Sequence, residues 1–303
     1  MSRPRAWLAG AARLAAVLPS VLQFVLPFAL PVASWAQPLA APAPAPAAAA
    51  AAARGTAPLW ELGVGVGALR LPHYRGSDQT HAWLLPLPYF VYRGQFLKSD
   101  RDGTRAVLFN SDRLDFDLSL AASPPTRSQD NRARAGMASL PPTLEFGPNL
   151  NVTLARSRDW KLDLRLPMRA VVTLERQPHG AGITAAPNLN LDLRVSDWNL
   201  GLQAGPQWGD RRRHAFTYDV TAADATPARP AYSAPAGLAG WAGTAALSRR
   251  SGNLWTAMYV RGDSLSGARF ADSPLVKTRS NWSAGIAMAW VLTSSEQRVP
   301  ASD

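Results

Sequence analysis

The chain has 303 residues, no cysteine and a formal charge of +11. Without cysteine there is no disulfide and no thiolate metal site, and the length suits one large domain or two small ones. A basic balance fits nucleic acid, anionic lipid or an anionic wall polymer, but lysine occurs only at 98, 161 and 277, and arginine supplies the rest of the basic charge. Acids and bases interleave instead of clustering, and there is no basic face interleaved with stacking aromatics, so a nucleic-acid partner is not expected.

Residues 1–36 read as a secretory signal peptide. Arg3, Arg5 and Arg13 precede or open a mostly apolar run from Leu14 to Val32, and Ser34-Trp35-Ala36 supplies small residues for cleavage after Ala36. Gln37 to Pro58 is an Ala/Pro tract with no apolar pattern to bury, and is expected to be a linker.

From Leu59 the chain alternates. Trp60, Leu62, Val64, Val66 and Ala68 are interleaved with Glu61, Gly63, Gly65 and Gly67, whose small size suits a crowded or curved inner wall. After a loop over 71–81 come strands at 83–93, 95–100, 104–109 and 114–120, then a long polar loop over 122–141. The clearest stretch is Thr143–Glu175, two long strands joined at Ser157-Arg158-Asp159. From Trp160 to Leu174 every even position is apolar, whereas the odd positions carry Lys161, Asp163, Arg165, Arg169 and Glu175. Successive side chains of a strand point to opposite faces, so the period is 2. Further strands follow over 183–195, 198–208, 237–249, 252–262 and 277–292, and 293–303 is left as a C-terminal tail.

Soluble strands run about 5–6 residues, and these run past ten. One long oily face opposite a charged face suits lipid outside and an enclosed wall inside. The bilayer forbids open sheet edges, so such strands must close. The expected fold is all-β, a transmembrane antiparallel β-barrel of about 12 strands over 59–292, surrounded by outer-membrane lipid. Trp60, Trp160, Trp198, Trp255 and Trp290 are expected in an interfacial girdle. Pro148, Pro187 and Pro206 are expected at bulges, because proline removes a ladder donor.

Lys161, Asp163, Arg165, Arg169 and Glu175 are the candidate lumen-lining residues. They read either as an arginine ladder favouring anionic solutes or as a salt-bridged filling of a narrow lumen. His73, His81, His179 and His214 all fall in predicted loops without metal-motif spacing, so no cofactor, no metal and no enzymatic activity is expected.

Three stretches carry a family resemblance: Pro72-His73-Tyr74-Arg75-Gly76-Ser77-Asp78 with Leu85-Pro86-Leu87-Pro88 and Tyr92-Arg93-Gly94; Asn131 to Met137 with Pro142 to Pro148; and Leu166-Pro167-Met168-Arg169-Ala170. Together they resemble the MipA/OmpV family of MltA-interacting outer-membrane proteins. The resemblance implies a barrel linked to murein metabolism, a scaffold joining a lytic transglycosylase to a penicillin-binding protein. Other members are described as porin-like, which makes a small-solute channel the alternative. It offers no catalytic residue to carry over, and it implies no cofactor.

Overall fold

A computed structural model describes residues 56–94, 97–100 and 103–300. The signal peptide and nearly all of the linker read from the sequence lie outside the described residues. The strands are β1 (Thr56–Pro58), β2 (Trp60–Pro72), β3 (Thr80–Arg93), β4 (Leu97–Asp100), β5 (Gly103–Asn110), β6 (Leu114–Ser123), β7 (Thr143–Arg156), β8 (Trp160–Thr173), β9 (Gly180–Ala185), β10 (Asn188–Val195), β11 (Trp198–Gly209), β12 (Gly237–Ser251), β13 (Leu254–Ser264), β14 (Ser280–Ser294) and β15 (Arg298–Pro300), with one α-helix, α1 (Arg211–Tyr218).

The sheet is antiparallel and closes. Sequential neighbours pair from β2 to β9 and from β10 to β14, β14 returns to β2, and both β8–β10 and β9–β11 pairings are present. β9 and β10 therefore lie end to end as one interrupted stave, which leaves twelve staves around the barrel. The interruption is Ala186-Pro187. Pro187 has no N–H to give the ladder; Ala186 donates instead to Pro167 O at 3.1 Å, and Asn188 Nδ2 caps Ala186 O at 2.7 Å.

Burial is inverted relative to a soluble protein, which buries its apolar residues. Leu84 (70 %), Ile286 (61 %) and Met168 (53 %) are exposed, while Glu61, Asp117 and Asp163 are each only 2 % exposed. An exposed apolar surface running round a closed sheet is incompatible with water and matches hydrocarbon. The chain is a membrane-spanning β-barrel.

Two sequence expectations need correction. Trp255 does not join the girdle. Leu254, Thr256 and Met258 take the outer face of β13, so Trp255 turns inward and packs on Tyr89 at 5.7 Å. Outward rings that the girdle reading passed over, Trp208, Trp241 and Trp282, sit toward the opposite end of the staves. The prolines also differ from one another. Only Pro206 adjoins a bulge, at Gln207/Trp208. Pro187 breaks the stave, and Pro148 keeps register with Leu118, so the β7–β8 ladder is interrupted there without a shift.

Beneath the barrel, β1 and β15 pair through three residues each, and Arg298 donates to Thr56 O at 2.9 Å. Residues read as linker end and tail thus form a small ribbon on the side of the short turns.

Candidate functional site

Three layers lie along the barrel axis. At the short-turn end, Glu61 is the one polar residue on the inner face of β2, whose other inward positions are Gly63, Gly65, Gly67, Leu69 and Leu71. Arg93 Nη1 reaches its carboxylate at 3.2 Å, Arg250 makes a second ion pair to the other oxygen, and Tyr89 Oη donates at 3.4 Å. Further up β2, Gly67 leaves room for Leu87: a Cβ there would stand 2.6 Å from Leu87 Cδ1.

The second layer, along the inner face of β8 from its short-turn end upward, holds most of the sequence candidates, opposite the exposed leucines. Lys161 Nζ lies 3.1 Å from Asp163, which also accepts from Thr153 Oγ1 at 2.9 Å. Arg165 reaches Asp192 on β10 at 3.6 Å, and Arg169 Nε donates to Ser119 Oγ at 2.9 Å. Glu175 lies beyond the end of β8, accepting from Thr173 Oγ1 at 3.0 Å and standing 2.9 Å from His179 Nδ1. The structure brings the first four into one paired array with Asp117, Asn149 and Asn151, and leaves Glu175 at the rim.

The third layer is a lid, and sequence reasoning did not find it. Loops 73–79, 124–142, 210–236 and 265–279 share a hydrophobic core that includes Tyr74, Leu140, Tyr218, Val220, Leu265, Phe270 and Leu275. Tyr218 stacks on Phe270 with centroids 3.7 Å apart and donates to Arg75 O at 2.9 Å. Burial pushes the Tyr218 hydroxyl up to about 12, so it remains a donor at neutral pH. Arg134, 4 % exposed, donates to Thr217 O at 2.8 Å and Ala138 O at 3.1 Å, tying two loops together.

The stretch Pro72–Asp78 is the keystone of the lid. Arg75 Nε lies 2.9 Å from Asp263, and Asn281 accepts from Gly76 N at 2.6 Å while donating to Ser77 O at 2.7 Å. Asp263 and Asn281 are buried positions of the inner wall, so this loop turns into the barrel mouth. Gly76 has φ +91°, a left-handed conformation that suits glycine. The signal available in the sequence was the density of Tyr, Arg, Gly, Ser and Asp in a loop, which marks a hydrogen-bonded turn.

His73, Ser77 and Asn131 meet in the lid. Asn131 Nδ2 lies 3.1 Å from His73 Nδ1 and donates to Ser77 Oγ at 3.0 Å, while Ser77 Oγ faces Gln79 O at 3.2 Å. A nucleophilic serine needs its base in hydrogen-bond contact; here the asparagine lies between serine and histidine, so the cluster holds loops together. Burial, with His81 alongside, lowers the pKa of His73; burial also lowers that of His214, whose Nδ1 bonds Pro235 O at 2.6 Å. Among the described residues, no group of three or more His, Asp or Glu is placed to hold a metal ion.

The family sequence profile described as MltA-interacting protein MipA matches residues 64–292. The chain belongs to the MipA family. Both the Pro72–Asp78 keystone and the paired array of β7 and β8 lie within the MipA match. A search of curated proteins returns no match. Among solved structures, this MipA-family chain is similar to a bacterial polysaccharide outer-membrane secretin (7 % identity over 77 % of this chain and 99 % of that one, TM-score 0.41). It is also similar to the Salmonella typhi outer-membrane phospholipase (9 % identity, 78 % and 92 % covered, TM-score 0.32) and to a Pseudomonas aeruginosa FadL homologue (10 % identity, 75 % and 67 % covered, TM-score 0.32).

Proposed function

We propose that this barrel is an outer-membrane scaffold that holds a lytic transglycosylase, and with it a penicillin-binding protein, on its periplasmic side. The observation that carries the reading is the match to the MltA-interacting family over residues 64–292. In this reading the barrel does no chemistry, and its docking surface is the short-turn end with the β1–β15 ribbon.

The inner wall supports a structural role. Lys161, Asp163, Arg165 and Arg169 line the lumen as partners of neighbouring side chains, in the manner of a filled interior. The lid loops pack on one another across the mouth. Pull-down of the detergent-solubilised protein against a periplasmic extract tests the proposal. Enrichment of a lytic transglycosylase over an unrelated barrel is expected; no enrichment sinks it. Stepwise conductance in a planar bilayer would move the reading to a solute channel.

A further inference from the structure

We propose that the barrel wall is open on one side, between β3 and β6, and that this opening admits the acyl chain of a membrane amphiphile into the lumen. β4 and β5 are the reason. They form a hairpin that pairs with β3 only at Tyr92↔Ser99 and Arg93↔Lys98, at the bottom of that strand. On the other side β5 pairs with β6 only up to Arg105↔Ser119. Among the described residues, Thr80–Val91 of β3 and Leu120–Ser123 of β6 have no ladder partner on the facing edges. A membrane-spanning strand needs about 9–11 residues, so the free edge of β3 covers essentially a whole crossing.

The sequence is written for a free edge. Arg93 N donates to Leu59 O at 2.8 Å, and the β2–β3 register runs without a shift from Trp60↔Tyr92 to Pro72↔Thr80. Odd positions of β3 therefore aim N–H at β2, and even positions aim away from it, into the gap. Pro86 and Pro88 are even. The two prolines sit where a missing donor breaks no ladder bond, the placement expected at an unpaired edge. A strand from another chain would lose two successive bonds there, which disfavours a protein occupant. Hydrocarbon needs no donor.

The surfaces on both sides of the gap fit a hydrocarbon chain. Outside, Leu84 is 70 % and Phe90 48 % exposed. Inside, where β8 carries Lys161, Asp163, Arg165 and Arg169, β3 presents Trp83, Leu85 and Leu87, with Leu87 lying over Gly67. The frame is closed above by loop contacts, Gln79 Nε2 to Asp130 O at 3.3 Å and Arg132 N to Gln79 Oε1 at 2.7 Å. β3 and β6 stand three strand spacings apart at the hairpin, about 14 Å, and the remaining edge groups, the N–H of Thr80, Ala82, Leu84 and Phe90 and the even-position carbonyls, can be hydrated from the lumen.

The test uses the full mature protein in dioleoylphosphatidylcholine vesicles, with a photo-crosslinking benzophenone side chain at one position at a time. Leu84, on the lipid face, reports ordinary contact. Gln203, on the inner face of β11 across the barrel, reports the lumen. Lipid adducts at Leu85 and Leu87 comparable in yield to Leu84, and at least tenfold above Gln203, are expected. Adducts at Leu84 alone, or adducts from Leu85 to a second copy of the chain, overturn the proposal. Because the chain has no cysteine, Leu85→Cys carrying a nitroxide gives a second, milder readout. Preferential relaxation by oxygen over a water-soluble nickel complex supports the opening, and the reverse preference refutes it. Neither measurement depends on the scaffold reading.

Discussion

Glu61 shows how a single inner side chain can carry the bottom of the barrel. It is 2 % exposed and faces two guanidinium groups. Removing one member of a buried charge cluster leaves the others uncompensated and costs about 3 kcal/mol. Glu61→Gln should lower the guanidinium midpoint of the detergent-solubilised barrel, and adding Arg250→Gln should restore part of the loss. The lid histidines give a pH dependence. Burial lowers the folded pKa of His73 and His214 below 6.5, so below that pH the unfolded state binds more protons than the lid. Lid stability is full above pH 6.5 and falls as pH drops from there through the lowered folded values. Protection factors for amide exchange in 210–236, corrected for the intrinsic rate, should fall as pH drops from 7.5 to 5, and His214→Phe should weaken that dependence. At this scale the sequence was partly legible. Alternation placed Lys161, Asp163, Arg165 and Arg169 on one face, but it gave Trp255 the wrong face, because a local change of phase cannot be read from residue type. The partners of Glu61 lie 32 and 189 positions away, beyond any local pattern.

Among the elements, the long staves were readable because one face meets hydrocarbon and tolerates few exceptions. α1 was not. Its sequence, RRRHAFTY, has no apolar stripe, and what starts it is Asp210, whose side chain accepts from Arg213 N at 2.7 Å. Asp210→Ala should cost about 1 kcal/mol and should speed exchange of the Arg213 amide while leaving the barrel's circular dichroism unchanged. β3 departs from strict alternation by being apolar on both faces over Trp83–Leu87. The lid was read only as loops, since its core is assembled from four connections whose apolar residues are scattered singly.

For the whole molecule, closure rests on the β14–β2 seam, which runs from Ala284↔Arg70 to Ser294↔Glu61. Truncation after Met288 removes the lower half of that seam and should abolish the heat-modifiable band on gels. Truncation after Ser294 should leave that band intact, because only β15 is lost. The ribbon has another consequence. Thr56 and Pro300 lie side by side, so a short peptide could splice them, and the chain could be cut anew at the tight Gly252-Asn253 turn. Such a circular permutant keeps every stave beside its present neighbours, and its refolding into the same cylinder would show that the order of threading is free to change while the arrangement of neighbours is not.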